Sequence, residues 1–283
     1  MLDGKNVFTL LKTAETFLKS KRLSEPESDA QVLLSFVLSI KRSKLVLIRS
    51  QKPTDRQLSH YEECILRRSK REPVAYITGF AGFMNFEFKV DENVLIPRPE
   101  TEILVETVLK LTNIENKNSV LDLCTGSGCI AVSLARLGKF KNITASDVNS
   151  DAIEIAKENA RINNVLNIDF VESNVFDKIN SKKFDIIISN PPYVTDEEYN
   201  ILEPELKYEP KSALTARDGG LFFYKEIANK AGKYLNNNGF ILLELNANKA
   251  DEIKQVFLNK DYKNIEIIKD YARLPRVLKA KCM

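Results

Sequence analysis

Ser119-Val120-Leu121-Asp122-Leu123-Cys124-Thr125-Gly126-Ser127-Gly128-Cys129 is the stretch from which the rest of the chain can be read. A short apolar run ends in an acid and opens into a loop with two glycines. Such a pattern predicts a strand that turns sharply into a helix. Gly126 and Gly128 allow a tight turn and bring the backbone close to a ligand that a Cβ would block. With Ala131 the loop also satisfies Gly-x-Gly-x-x-Ala, so NAD is one candidate ligand. Asp147 ends the next apolar segment 19 residues after Gly128. An acid there can accept both hydroxyls of a ribose, in NAD and S-adenosylmethionine alike. Asp122 separates the two. An anion just before the loop would repel a pyrophosphate, but it suits a sulfonium ligand that carries an ammonium group. The expected cofactor is therefore S-adenosylmethionine.

Downstream, apolar strands are expected at residues 120–123, 143–146, 168–171, 184–189 and 240–245. Helical patterns fit between them, for instance residues 151–163 with Ser150 as N-cap. This alternation predicts a parallel, doubly wound α/β sheet. The final segments, residues 264–268 and 276–281, have strand character with no helix between them. They predict an antiparallel C-terminal edge.

The fourth strand runs into Asn190-Pro191-Pro192-Tyr193. Ligands of such sheets bind beyond the carboxyl ends of the strands, so this tetrapeptide and the glycine loop face one crevice. The residue before a proline is held extended, which projects Asn190 outward. An amide or aniline-like nitrogen is a poor nucleophile because its lone pair is delocalised. The Asn190 side-chain oxygen and the Pro191 carbonyl can each accept one of its hydrogens. Tyr193 can pack on its planar face. Chemistry of this kind rests on positioning and needs no metal, covalent nucleophile or histidine base.

Upstream, residues 1–72 read as helices, with Phe8, Leu11, Ala14 and Leu18 and then Ala30, Leu33, Leu34, Val37 and Leu38 at helical spacing. After Pro73 the texture turns aromatic, and residues 76–80 and 83–90 read as a β-hairpin. Leu95-Ile96-Pro97-Arg98-Pro99-Glu100-Thr101 then leads into a helix that Glu100 or Thr101 can open. Residues 1–72 hold 15 Lys and Arg against 9 Asp and Glu, while the rest hold 27 against 30. A basic front end can steer an acidic partner. His60 is the sole histidine, and the four cysteines include no Cys-x-x-Cys pair. Neither a disulfide framework nor a zinc site is expected. No apolar run reaches the roughly 18 residues of a membrane span. The N-terminal amphipathic run lacks the layout of a signal peptide, so a cytoplasmic protein is expected.

Taken together, these blocks resemble the class I amino-methyltransferases and, within them, the release factor glutamine methyltransferases. Carrying the resemblance are residues 72–79, 95–101 and 122–128, Asn190 to Tyr193, Tyr208-Glu209-Pro210 with Ala213-Leu214, and Asp218-Gly219-Gly220-Leu221. The residue 95–101 block distinguishes this family from DNA methyltransferases that share only the Asn-Pro-Pro-Tyr box. The resemblance implies a helical substrate-recognition domain over residues 1–72, a hairpin linker over 73–97 and a Rossmann-like methyltransferase domain over 98–283. It implies that Cys124, Thr125, Gly126, Ser127, Gly128, Asp147, Asn174, Val175 and Asn190 line the cofactor. It also implies that Asn190, Pro191, Pro192 and Tyr193 hold the substrate glutamine, with Asn190 and Tyr193 catalytic. The implied substrate is the glutamine of a Gly-Gly-Gln loop in peptide chain release factors. A monomer with no direct nucleic-acid partner is expected. The rival is an adenine or cytosine amino-methyltransferase, which needs a basic channel, whereas the methyltransferase part here is net acidic. The chain departs from the family at Asn174 and Val175, where Asp and an aromatic are usual, at Cys124, and at Asn246, where glycine is usual.

Overall fold

The N-terminal helices form because each buries an apolar stripe, with side-chain caps at Asn6 and Thr54 and a proline, Pro26, opening the helix between them. In the computed structural model, which describes residues 6–114, 117–180 and 182–282, Asn6 and Thr9 cap helix α1 (Val7–Ser20) reciprocally. The first five residues of the amphipathic opening thus lie outside the described residues. Val7, Leu10, Ala14 and Leu18 of α1 are buried against Ala30, Leu33 and Leu34 of α2 (Pro26–Val37) and Tyr61, Cys64 and Ile65 of α3 (Asp55–Ser69). Arg68 of α3 is buried too, and its guanidinium pairs with Asp29 at 2.7 Å.

Residues 74–78 are a short helix, α4 (Val74–Thr78), and not the first arm of a hairpin. Gly79 ends it in the left-handed region at φ 80°, and Ile77 joins the helical core. That burial overrides the strand character of Tyr76-Ile77-Thr78. The first compact unit comprises the described residues up to Gly79 together with Glu203–Tyr208. Within it Glu205 accepts from Arg68 at 3.2 Å and from Arg71 at 3.0 Å, and the Tyr208 hydroxyl donates to the Lys70 carbonyl.

The second unit opens with a shorter hairpin than expected, β1 (Phe80–Phe83) and β2 (Phe86–Lys89), turning at Met84 and Asn85, both at positive φ. There follow α5 (Pro99–Ile114), β3 (Ser119–Leu123), α6 (Cys129–Leu137), β4 (Asn142–Asp147), α7 (Ser150–Ile162), β5 (Ile168–Glu172) and β6 (Phe184–Ser189). Asn149, not Ser150, caps α7, its side chain accepting from the Asp151 N–H. The chain continues through α8 (Asp196–Ile201), α9 (Lys211–Leu214), α10 (Phe222–Lys230), β7 (Leu235–Glu244), α11 (Ala250–Leu258), β8 (Lys263–Lys269) and β9 (Pro275–Lys281).

Seven strands form one sheet in the order β5-β4-β3-β6-β7-β9-β8. All neighbours from β5 to β7 are parallel, and β9 runs antiparallel to both β7 and β8. The antiparallel ending is therefore present, with the last strand inside and β8 outermost. Two hydrophobic clusters cover the two faces. Val120, Ile186, Ile188 and Leu242 lie in one, Leu121, Ile187, Ile241 and Leu243 in the other. Burial on both faces explains why β6 is an almost unbroken apolar run.

Candidate active site

From β3 the chain winds outward to β5 and then returns to β6 beside β3. The loops after β3 and β6 leave in opposite directions at that reversal, and a crevice opens between them. Cys124, Gly126, Asp147, Asn174, Val175, Asn190 and Pro192 line a cleft there, closed by Leu95, Ala213 and Phe223.

One wall is mostly backbone. Cys124 and Gly126 hold φ of 57° and 52°, and Gly128 holds 79°. A Cβ added at Gly126 would meet nothing within 4 Å, whereas one at Gly128 would sit 3.0 Å from the Cβ of Ala156 in α7. The first glycine leaves the loop open to the cleft, and the second lets α7 close against it. Asp147 ties the rim to this loop: Oδ2 accepts the Gly126 N–H at 2.9 Å and Oδ1 the Asn149 N–H at 3.0 Å. Burial raises its pKa, and backbone N–H donors oppose the rise. Its remaining lone pairs can accept ribose hydroxyls. Val175 stands at φ 50°, a conformation that strains a β-branched residue, and it is buried. An open loop, an acid on the rim and apolar ground at Val175 fit a nucleoside-bearing ligand.

Other members of the predicted set stand elsewhere. Thr125 and Ser127 are buried and Gly128 packs on α7, so Cys124 and Gly126 alone carry the glycine loop into the cleft. Asp122 is fully buried behind the loop, where Oδ2 accepts from the Thr125 hydroxyl at 2.6 Å. Burial pushes its carboxyl up to about 7, against that hydrogen bond. Asp122 therefore does not set a charge beside the ligand, contrary to what its place before the loop predicts: low dielectric penalises the anion, and its hydrogen-bonded oxygen is held inside the protein.

The opposite wall is made of side chains. Asn190 Nδ2 donates to Thr101 Oγ1 at 3.2 Å. Thr101 in turn donates to Glu244 Oε2 at 2.6 Å. The Tyr193 hydroxyl also turns to Glu244, 3.4 Å from Oε1, and Tyr193 is not among the residues lining the cleft. Pro191 is buried beside it. Burial pushes the Glu244 carboxyl up to about 7, despite the Thr101 hydroxyl, the charge of Arg276 and the Tyr193 hydroxyl.

Two further blocks position this wall. Buried Glu209 accepts the Ile96 N–H at 3.0 Å and pairs with the Arg98 guanidinium. It thereby clamps the loop carrying Leu95 to the segment carrying Ala213. Gly220, at φ 85°, lies so close to the Tyr193 backbone that a Cβ would fall 2.4 Å from its carbonyl oxygen. Thr101, Glu209, Gly220 and Glu244 were absent from the predicted site set. Thr101, Glu209 and Gly220 lie in motif blocks visible in the sequence and Glu244 in an expected strand, but their partners lie far along the chain. Among the described residues no group of three or more His, Cys, Asp or Glu could hold a metal ion.

A seven-stranded sheet with a ligand cleft at its switch point and an Asn-Pro-Pro-Tyr loop on that cleft defines a class I, S-adenosylmethionine-dependent methyltransferase. Sequence comparison agrees. Residues 99–223 match the methyltransferase small domain and residues 9–79 the PrmC N-terminal domain. The release factor glutamine methyltransferase of Fusobacterium nucleatum is 38% identical over 268 residues, 94% of this chain and 76% of that protein. That of Aquifex aeolicus is 36% identical over 278 residues, 98% of this chain and 99% of that protein. A methyltransferase structure from Pyrococcus furiosus shares the fold, with TM-score 0.54 and 19% identity over 71% of this chain and 90% of that one. The chain belongs to the release factor glutamine methyltransferase family.

Proposed function

We propose that the protein methylates the side-chain amide nitrogen of the glutamine in the Gly-Gly-Gln loop of peptide chain release factors. The observation that carries this reading is Asn190, which lines the same cleft as Gly126 and Asp147. Its Nδ2 is engaged by Thr101, leaving Oδ1 as acceptor for a target NH₂. When bound, S-adenosylmethionine supplies a methyl group already activated by its sulfonium. Asp147 holds the ribose, Cys124 and Gly126 face the ligand with backbone, and Asn174 and Val175 border the adenine. Thr125, Ser127 and Gly128 shape the loop from behind. Asn190 with the Pro191 carbonyl orients the amide, while Pro192 gives its pocket a rigid floor and Tyr193 braces that wall from behind through Glu244. Positioning of this kind supplies most of the rate, because the methyl carbon must meet the nitrogen lone pair in line.

In this reading residues 1–72 recognise the factor, 73–97 link, and 98–283 carry the chemistry. The basic balance of residues 1–72 supports the first role. A short loop offers little area, so selection among cellular glutamines needs a second contact. The enzyme acts as a monomer in the cytoplasm and takes no nucleic acid directly. Among the described residues no helix is long and apolar enough to cross a membrane. The test is mass spectrometry of tryptic peptides after incubating a release factor with enzyme and S-adenosylmethionine. One methyl on the loop glutamine is expected. Preferential methylation of duplex DNA would overturn the substrate, and tight NAD binding without response to S-adenosylmethionine would overturn the cofactor.

A further inference from the structure

Behind the reacting wall lies a hydrogen-bond chain whose direction is set by the ionisation of Glu244. Ionised Glu244 can only accept. The single hydroxyl hydrogen of Thr101, 2.6 Å from Oε2, must therefore point at Glu244. Thr101 is then left with lone pairs only, and what lies 3.2 Å from its oxygen must be a donor, the Asn190 NH₂. The Asn190 oxygen is thereby turned away from Thr101, toward the cleft. Thr101 and Glu244 are each 2% exposed, so no bulk water competes for these groups. Glu244 also receives the Tyr193 hydroxyl at its other oxygen.

We propose that Thr101 and Glu244 are positioning residues that set the polarity of the Asn190 amide, with Glu244 as the acceptor-only end of a one-way hydrogen-bond chain. The proposal rests on the assignment of Asn190 to the target nitrogen. An Asn190 amide flipped end for end would present NH₂ to the substrate NH₂, two donors facing each other, and turnover would fall. Reversing the chain requires only that its far end become a donor. Protonating Glu244, or replacing it by glutamine, allows this: Thr101 then accepts from residue 244 and donates to the Asn190 oxygen. The groups facing Glu244 are Thr101 and Glu100 of α5, Cys129 of α6, Tyr193 of the β6 loop and Arg276 of β9, and its own carbonyl accepts from the Tyr224 hydroxyl of α10. Arg276 pairs with Asp270 at 2.9 Å. Because burial holds the Glu244 carboxyl near 7, the enzyme should lose turnover as pH falls through that value.

Two measurements on the full chain test this, one of them without substrate. The first is the NMR signal of the Asn190 side-chain NH₂, assigned by its loss in Asn190→Asp. It should shift in Thr101→Val and Glu244→Gln and return near its native position in Thr101→Ser. The second is kinetics on a release factor. Thr101→Val and Glu244→Gln should lower kcat by roughly tenfold to a hundredfold with KM little changed, as for a misplaced catalytic group. Thr101→Ser should recover most of the rate, and Glu244→Gln should lose the acid limb near pH 7. Unchanged Asn190 signals with kcat within about twofold of wild type in Thr101→Val would overturn the proposal, since a misaligned group costs far more. Retention of the acid limb in Glu244→Gln would also overturn it. If wild-type enzyme methylates no release factor while the Asn190 signals respond as expected, the substrate reading fails and the positioning role stands.

Discussion

Along the glycine-loop wall the groups offered to a ligand are backbone and one carboxylate, and Asp147 reaches its Gly126 partner across 21 residues of sequence. Along the Asn190 wall a side-chain amide is held by Thr101, 89 residues away, which is held by Glu244, 143 residues from itself. The first wall is a local turn that any nucleoside-binding sheet can build. The second exists only after α5, β6 and β7 have come together. Binding should therefore tolerate damage to the second wall, and turnover should not.

The sharpest way to break this comparison is Asn190→Ala. It should cut turnover at least about a hundredfold, the cost of losing one preorganised polar contact in a transition state. Calorimetry should still detect S-adenosylhomocysteine. Near-normal turnover would mean that the two walls do not divide the work. Gly220→Ala strikes the same wall through its backbone. The new Cβ would meet the Tyr193 carbonyl and force a strained positive φ, so a stability loss of about 1–3 kcal/mol is expected in chemical denaturation. Turnover should fall further than cofactor affinity.

Asp147→Ala tests the other wall. Cofactor affinity should weaken by roughly 1–3 kcal/mol as charge-assisted hydrogen bonds to the ribose are lost. At saturating cofactor, kcat should stay near wild type. A collapse of kcat in that variant would show that the rim acid also serves the reacting end.

Asp122 gives an effect read as a slope. Its carboxyl titrates at about 7 in the folded protein against an ordinary value of 3.8. A raised folded pKa means stability that is fully present below pH 4 and lost as pH rises toward 7. In Asp122→Asn that loss disappears. The difference in Tm, variant minus wild type, should grow more positive between pH 4 and 8. A flat difference would show that Asp122 is not penalised by burial.

Much of this was legible in the chain. The strand-loop patterns at residues 119–129 and 184–193 predicted the doubly wound sheet and its crevice, because side-chain periodicity and glycine placement act within a few residues. The hairpin is shorter than expected because tertiary burial outweighs local preference, and the α7 cap differs by one residue for a local reason. Ile77 joins the helical core and makes residues 74–78 a helix. Asn149, one residue before the expected cap, accepts from Asp151.

By itself the sequence determined the fold class, the glycine loop, the acid at Asp147 and the Asn-Pro-Pro-Tyr box, all of them properties of short segments. Tertiary structure alone decided which of those residues face the cleft. It turned Thr125, Ser127 and Asp122 inward and set Tyr193 behind the wall. It also joined Thr101, a residue the sequence offered only as a helix opener, to Glu244 and Asn190. Hydrogen-bond partners far apart in the chain leave no periodic signal, and burial, which raises the pKa of Glu244 and keeps water from its partners, is a property of the packed molecule.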